Sequence, residues 1–184
     1  MSHDNRDLAY LAGIIGAAAL FGIGALFLAS PTTKPPCNLE RVAYAPSENL
    51  EPIDVALIGR ARHSIDFAAY VLTSIPIVEA LDAAAARGVR IRIYRDGDDV
   101  HAPKALADAY DRLVARPNVE ARYKASPAPF MHLKAYSIDG ELLREGAGNF
   151  THSGLLRQDN SLVALRCREA AVRFERAFEE MWRR

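Results

Sequence analysis

Cysteine is scarce in this sequence, which has 184 residues and only two cysteines, Cys37 and Cys167. Two cysteines are too few for a disulfide framework, and they cannot supply a four-ligand zinc site by themselves. They would pair in an oxidising compartment, whereas in a reducing one they are two small apolar residues. Their distance along the chain favours the unpaired state, and pairing is the alternative.

Net charge is also absent, because 23 basic residues balance 23 acidic ones. The chain therefore lacks the whole-molecule basic field that marks many nucleic-acid-binding proteins. Basic residues do cluster locally: four arginines lie between residues 87 and 95, and Arg122 and Lys124 precede His132. A basic patch and an ordinary solvated face explain these clusters equally well, so charge does not select a substrate.

Several familiar signatures are missing as well. The chain has no Gly-x-Ser-x-Gly nucleophile elbow, no phosphate-binding P-loop and no internal repeat. Asp96, Asp98 and Asp99 follow a predicted strand and fit a solvated turn better than a cation site. The histidines outside the motif described below have no ligand-like spacing. These observations predict neither a metal nor a cofactor.

A long apolar run without a charged residue occupies positions 8–29. At about 1.5 Å per residue, it is long enough to cross a hydrocarbon core of roughly 30 Å. It exceeds a signal-peptide core, and no small-x-small cleavage pattern closes it. We therefore expect residues 1–30 to form a single-pass membrane anchor, with an uncleaved or atypical export signal as the alternative. A bacterial inner membrane with a periplasmic domain is favoured, although the flanking charges do not decide the orientation.

Beyond the anchor, the sequence predicts a proline-rich linker over 31–38 and a compact domain over 39–184. Within the domain, segments with strand periodicity alternate with helical segments, and a hairpin and an amphipathic helix follow. The predicted strands cover 42–45, 64–73, 89–94, 119–123, 133–138, 141–145 and 161–166, and the predicted helices cover 50–62, 75–87, 103–115 and the C-terminal segment. This order predicts an α/β sandwich with a mixed sheet flanked by helices.

The chemistry-bearing residues gather in one stretch, which contains His132-Leu133-Lys134, Asp139 and Gly146-Ala147-Gly148-Asn149. Because residues i and i+2 of a strand share a face, His132 and Lys134 are expected to project together. An imidazole can attack phosphorus, and an ammonium and a carboxamide can bind the phosphoryl oxygens. Gly146 and Gly148 would let the backbone approach a phosphate or adopt positive φ. The stretch therefore indicates chemistry on a phosphodiester.

This block resembles the signature of the phospholipase D superfamily, His-x-Lys-x₄-Asp followed by Gly-Ser-x-Asn. The runs at 64–70 and 88–93 are also similar to that family, and the resemblance covers residues 40–184. It extends in particular to small single-motif members, the bacterial Nuc-type endonucleases and the mitochondrial Zucchini-type proteins. One position departs from the motif, because Ala147 replaces its serine and removes a hydroxyl hydrogen bond.

The resemblance implies a phospholipase D-like fold and a phosphodiesterase that needs no metal. It implies that His132 is the nucleophile, which forms a phosphohistidine, and that Lys134 and Asn149 bind the phosphoryl oxygens. Asp139 would form a structural ion pair away from the phosphate. Asp159 or Asn160 would be the polar residue that orients the imidazole, and Asp159 is favoured.

A single copy of the motif predicts a homodimer with the active site on its two-fold axis. In-line displacement needs a nucleophile on one side of phosphorus and a proton donor on the other. One His132 cannot stand on both sides, so a second chain would supply the other imidazole. Nucleic acid, cleaved by a non-specific endonuclease, is the expected substrate. A phospholipase acting on phosphatidyl lipids or cardiolipin is the alternative. An inactive membrane scaffold is a third class, which the intact His132, Lys134 and Asn149 disfavour.

Overall fold

The structure is a computed structural model that describes residues 37–96, 103–124 and 128–184. The predicted anchor, the predicted linker up to residue 36, and Asp98, Asp99 and His101 lie outside these residues. Among the helices in the described part of the chain, none has both the length and the apolar character that a bilayer crossing requires.

Within the described residues, seven strands form one mixed sheet. They are β1 (Asn38–Ala45), β2 (Ser64–Ala69), β3 (Arg90–Asp96), β4 (Val119–Lys124), β5 (Lys134–Ile138), β6 (Leu142–Gly146) and β7 (Asn160–Arg166). Their spatial order is β1-β7-β6-β5-β2-β3-β4. β2, β3 and β4 run parallel, and the other neighbouring pairs are antiparallel. The prediction of a mixed sheet is therefore confirmed.

Helices cover both faces of the sheet. On one face, α1 (Glu51–Gly59), α2 (Ile75–Ala86) and α3 (Lys104–Val114) share a core with Phe67 and other inward-facing strand residues. On the opposite face, Phe178 and Trp182 of α5 (Arg168–Trp182) pack against Ala68. Phe67 and Ala68 are adjacent in β2, so the alternation of a strand directs them into different cores. The short α4 (His152–Leu156) lies beside α1 and β1.

Two strands, β1 and β2, differ by four residues in length from their predictions. β1 begins at Asn38, the last residue of the predicted linker, because it pairs along its whole length with β7. β2 ends at Ala69 rather than at Thr73. The chain leaves the sheet there because the N–H groups of Thr73 and Ser74 donate to the Phe150 carbonyl, each at 2.9 Å.

Cys37 and Cys167 form a disulfide, with their Cα atoms 4.4 Å apart. The expectation of two unpaired cysteines is therefore wrong. The register of β1 and β7 explains the pairing, since Asn38 lies opposite Arg166 and each cysteine is the next residue outward. A separation of 130 residues along the chain hides this proximity in the sequence.

Asp139 and Gly140 make the tight turn between β5 and β6, with φ of 55° and 64°. Positive φ at both positions is typical of a type I′ turn, and the predicted hairpin between these two strands is confirmed. The Asp139 carboxylate accepts hydrogen bonds from the backbone N–H groups of Arg62, His63 and Ser64, at 3.0, 2.7 and 2.9 Å. The predicted ion pair is therefore wrong, because the carboxylate binds the amides at the start of β2.

Candidate active site

The ends of β2, β3 and β6 meet the start of β5 at one edge of the sheet, because β5 runs antiparallel to β2 and β6. The N–H of Tyr70, just after β2, donates to the Leu133 carbonyl at 2.9 Å. The N–H of Met131 donates to the Asp96 carboxylate, at the end of β3, at 2.7 Å. The segment that carries His132 is thus tied to two strands.

Asp96 is buried, with 7% of its surface exposed, rather than part of a solvated turn as predicted. Its carboxylate accepts a hydrogen bond from the Met131 N–H, and this partner explains why the side chain can be buried. In the part of the chain that the structure describes, no group of three histidine, cysteine or acidic residues is arranged to hold a metal ion.

His132 and Lys134 come together around the ring of Tyr70. The rings of Tyr70 and His132 have centroids 4.6 Å apart, and Lys134 Nζ lies over the Tyr70 ring, 4.9 Å from its centroid. Lys134 Nζ also donates to the His132 carbonyl at 2.6 Å. His132 is exposed and precedes β5, which begins at Lys134. The two side chains therefore come together because both contact the Tyr70 ring. They do not lie on one strand, as had been predicted.

Lys134 is almost fully buried, with 6% of its surface exposed. Removal from water disfavours the charged form, so burial lowers the pKa of Lys134 below its usual value. The same surroundings screen charge poorly, which strengthens the attraction of the protonated ammonium for a phosphate oxygen.

Asn149 lies on the segment that follows β6, and its Oδ1 atom is buried without a hydrogen-bond partner among the described residues. The next residue holds this segment in place. The Phe150 N–H donates to the Val71 carbonyl at 3.1 Å, and its carbonyl accepts the two amides after β2. Leaving a buried polar atom unpaired is costly, which marks Asn149 as a candidate ligand-binding group.

Gly146 and Gly148 are required by the protein's own backbone. Neither has positive φ. A Cβ atom on Gly146 would stand 2.1 Å from the Ser161 carbonyl oxygen, and one on Gly148 would stand 2.9 Å from the Gly154 carbonyl oxygen. Of the two predicted roles of these glycines, positive φ is therefore wrong, and close packing against β7 and α4 accounts for the absence of a side chain at both positions.

Asp159 and Asn160 lie at the start of β7, beside Ala147. Asn160 Nδ2 donates to the Gly154 carbonyl at 2.8 Å and so supports α4. Asp159 is exposed and makes no hydrogen bond or ion pair with any described residue. It lines a surface cavity of about 720 Å³ together with Tyr44 and Ala147. Of the two candidates, Asp159 thus has the available side chain, and neither is hydrogen-bonded to His132.

Two of the clustered arginines, Arg92 and Arg122, are used to dock α5. Arg122 Nη1 donates to the Trp182 carbonyl at 2.7 Å, and its guanidinium lies 4.4 Å from the Trp182 ring centroid. Arg92 binds Asp66 and Glu179, each at 2.7 Å. These contacts assign both arginines to packing rather than to a basic patch beside His132.

Comparison with known proteins identifies the family. Residues 55–182, more than half of the chain, match the family model described as "Cardiolipin synthase, PLD-like domain". The chain belongs to the phospholipase D superfamily, a class of phosphodiesterase hydrolases. Within that superfamily it is a single-motif member.

Curated relatives of this chain are longer than the part that aligns with it. The mitochondrial cardiolipin hydrolase of Drosophila melanogaster is 28% identical over 173 residues, which cover 83% of this chain and 64% of that protein. The one from Chlamydomonas reinhardtii is 25% identical over 125 residues, or 68% of this chain and 54% of that protein. The chain therefore spans less than two thirds of the length of these curated relatives.

The fold matches a solved structure over most of both chains. Nuc from Salmonella typhimurium, a phospholipase D family member, superimposes with a TM-score of 0.71 at 23% identity, covering 80% of this chain and 95% of that one. NucT from Helicobacter pylori superimposes with a TM-score of 0.68 at 21% identity. The phospholipase D-like fold is thereby confirmed.

Proposed function

We propose that this protein hydrolyses phosphodiester bonds through a phosphohistidine intermediate. The observation that supports this most directly is the meeting of the exposed His132 and the buried Lys134 around Tyr70. The His132 imidazole attacks phosphorus, a P–N bond forms, and the leaving oxygen departs with a proton. Water then attacks the phosphohistidine and releases the imidazole. Lys134 and Asn149 bind the phosphoryl oxygens, where charge accumulates in both transition states.

A second copy of the chain completes this site. One His132 cannot both attack phosphorus and protonate the leaving oxygen on the opposite side. We infer that a partner related by a two-fold axis supplies the second imidazole. Asp159, which lacks a partner among the described residues, then serves as the carboxylate that orients an imidazole.

Nucleic acid is the substrate class that we favour. Phe130 lies two residues before His132, is 63% exposed, and meets the Tyr70 ring edge-on with centroids 5.8 Å apart. Exposed aromatic rings beside a phosphate-binding group are suited to stacking on unpaired bases. This arrangement supports cleavage of single-stranded or locally opened nucleic acid.

Phosphatidyl lipids, cardiolipin among them, are the second candidate substrate. Two relatives named mitochondrial cardiolipin hydrolase align with 68% and 83% of this chain. The predicted anchor at 8–29 also favours this candidate, because it would hold the domain near lipid headgroups.

We infer that the domain resides in an oxidising compartment, on the periplasmic side of a bacterial inner membrane. The Cys37–Cys167 disulfide supports this location, because disulfides persist in the periplasm and are rare in reducing cytosol.

The full chain, offered plasmid DNA, single-stranded RNA and cardiolipin vesicles in the presence of EDTA, tests the function. His132→Asn is the matched control. We expect the wild type to cleave nucleic acid and the variant to be inactive. Cleavage of cardiolipin alone would show that phosphatidyl lipids, and not nucleic acid, are the substrate. Failure of the wild type on all three would favour the inactive scaffold.

Mixed dimers test the shared site. A heterodimer with one His132→Asn chain is purified through two different affinity tags. We expect it to lose most of the turnover of the wild-type dimer, because one of the two imidazoles is missing. Near-full activity per heterodimer would contradict a site built from two chains.

A further inference from the structure

Arg144 in β6 is fully buried directly beside the proposed site. Its Nε and Nη2 atoms donate to the two carboxylate oxygens of Asp54, in α1, at 2.7 and 2.8 Å. Its Nη1 atom donates to the Lys134 carbonyl at 2.9 Å. The Tyr136 hydroxyl donates to Asp54 at 2.8 Å. One guanidinium thus connects α1 to the first residue of β5.

The pairing of the strands explains why the Lys134 carbonyl needs this donor. The ladder between β5 and β6 ends with Ala135 opposite Glu145. The next residue of β6, Gly146, pairs with Leu162 of β7 and not with Lys134. Arg144 therefore supplies the hydrogen bond at the point where β5 and β6 separate.

Arg144 also contacts the segment that carries the second phosphate-binding side chain. Its guanidinium lies 4.7 Å from the centroid of the Phe150 ring, within the range of a cation–π interaction. Phe150 directly follows Asn149, and its backbone is bound to the segment after β2. A single buried side chain therefore contacts both Lys134 and the neighbour of Asn149.

Stability alone does not account for this arrangement. Burial raises the pKa of the Asp54 carboxyl while the Arg144 guanidinium opposes that shift, so the pair bears a desolvation cost. Replacing a buried ion pair by apolar residues of similar volume is often neutral or stabilising. An apolar pair, however, has no donor for the Lys134 carbonyl.

We propose that Arg144, held by Asp54, is a positioning residue that sets the separation between Lys134 and Asn149. The inference rests on the proposed phosphodiesterase function, in which these two side chains bind the same phosphoryl group. It assigns a role in the reaction to two residues that do not touch the substrate.

Arg144→Lys tests this role while the positive charge is kept. An ammonium can pair with Asp54, but it lacks the planar fork that binds both Asp54 oxygens and the Lys134 carbonyl. We expect kcat for bis(p-nitrophenyl) phosphate to fall about tenfold or more with little change in KM, since small displacements of catalytic groups are costly. Equal kcat in Arg144→Lys and the wild type would overturn the proposal.

Arg92→Lys is the matched control. Arg92 binds both oxygens of Asp66, at 2.8 and 2.7 Å, but does so on the α5 face and contacts none of the proposed site residues. We expect its kcat to equal that of the wild type. An equal fall in kcat for both lysine variants would overturn the proposal, since it would show a general cost of losing an arginine pair.

The double variant Asp54→Leu/Arg144→Met separates positioning from folding. Relative to Arg144→Met alone, we expect its urea midpoint to return toward that of the wild type while kcat stays low. Recovery of kcat together with stability would overturn the proposal. If the double variant does not fold, the kcat of Arg144→Lys, compared with that of Arg92→Lys, tests the proposal instead. Inactivity of the wild type itself would instead contradict the proposed function, which His132→Asn tests separately.

Discussion

Tyr70 lies against both His132 and Lys134, with its ring centroid 4.6 Å from the imidazole centroid and 4.9 Å from the ammonium nitrogen. One side chain from the end of β2 thus contacts both groups that the proposed reaction uses. The face of an aromatic ring attracts an ammonium, and aromatic rings pack favourably at this spacing. Tyr70 therefore fixes the two groups relative to each other, although it follows β2 and lies far from them in the sequence.

Removing the Tyr70 ring should slow the reaction. We expect Tyr70→Leu to lower kcat by about tenfold or more, because the imidazole and the ammonium lose their common support. Tyr70→Phe should stay near the wild type, since the ring and not the hydroxyl makes both contacts. Steady-state hydrolysis of bis(p-nitrophenyl) phosphate measures the effect. Equal rates for the two variants would show that the ring is not needed.

The pH dependence of the reaction should reflect the burial of Lys134. Burial lowers the pKa of Lys134, so the ammonium loses its proton at a lower pH than an ordinary lysine does. Because the proposed reaction uses the charged form, kcat/KM should fall as the pH rises through this lowered pKa. In Lys134→Arg, a slower enzyme, this alkaline fall should disappear, because a guanidinium stays charged. The same alkaline fall in both proteins would assign it to another group.

Gly146 should not tolerate a side chain. Gly146→Ala would place its Cβ 2.1 Å from the Ser161 carbonyl oxygen, so β6 and β7 must separate. We expect the free energy of unfolding to fall by about 3 kcal/mol. Gly59→Ala is the control, because its Cβ would meet nothing within 4 Å. Urea unfolding should show the control unchanged or slightly more stable, and similar losses in both would contradict the steric explanation.

Asp139 should matter for stability and not for the reaction. It lies at the far end of β5, about 17 Å from Lys134 for five residues of extended strand. Asp139→Ala leaves three backbone amides without their acceptor, which should cost about 1–3 kcal/mol of unfolding free energy. We expect kcat per folded molecule to be unchanged, as active-site titration and urea unfolding would show. Loss of kcat in a fully folded variant would place Asp139 in the reaction.

The disulfide should stabilise the domain without affecting the site. It closes a loop of 130 residues, for which chain entropy predicts a contribution of about 5 kcal/mol. We expect Cys37→Ser/Cys167→Ser to lower the urea midpoint as much as dithiothreitol lowers that of the wild type. The rate should not change, because Cys37 and Cys167 lie next to the Asn38–Arg166 pair, whereas Asn160, next to Asp159, pairs with Ala45 at the other end of the two strands. An unchanged midpoint after reduction would contradict this role.

Local patterns in the sequence were sufficient for most elements. The helix predicted over 75–87 is α2 (Ile75–Ala86), and Gly88 with φ 91° follows it, as expected for a stop signal. The turn at Asp139-Gly140 also follows from local chemistry, since its two residues tolerate positive φ. In both cases, the energy that decides the structure comes from residues close in sequence.

The rest of the site depends on contacts between distant segments. Tyr70 closes a strand-like run, and only the antiparallel pairing of β2 with β5 puts its ring beside His132. In the sequence, Arg144 is an ordinary polar residue of a strand, because its partner Asp54 lies 90 residues earlier. The disulfide is hidden in the same way. Such residues are recognised only when the register of the sheet is known.

The bond between Cys37 and Cys167 has a topological consequence. Together with the intervening backbone it makes a covalently closed ring, and Tyr70, His132, Lys134, Arg144 and Asn149 all belong to that ring. α5 begins just outside it, at Arg168. A protease that cuts the ring once therefore yields two pieces that stay joined, and a non-reducing gel shows a single band where a reducing gel shows two. Every residue of the proposed chemistry is thus retained on one covalent species after a single cut.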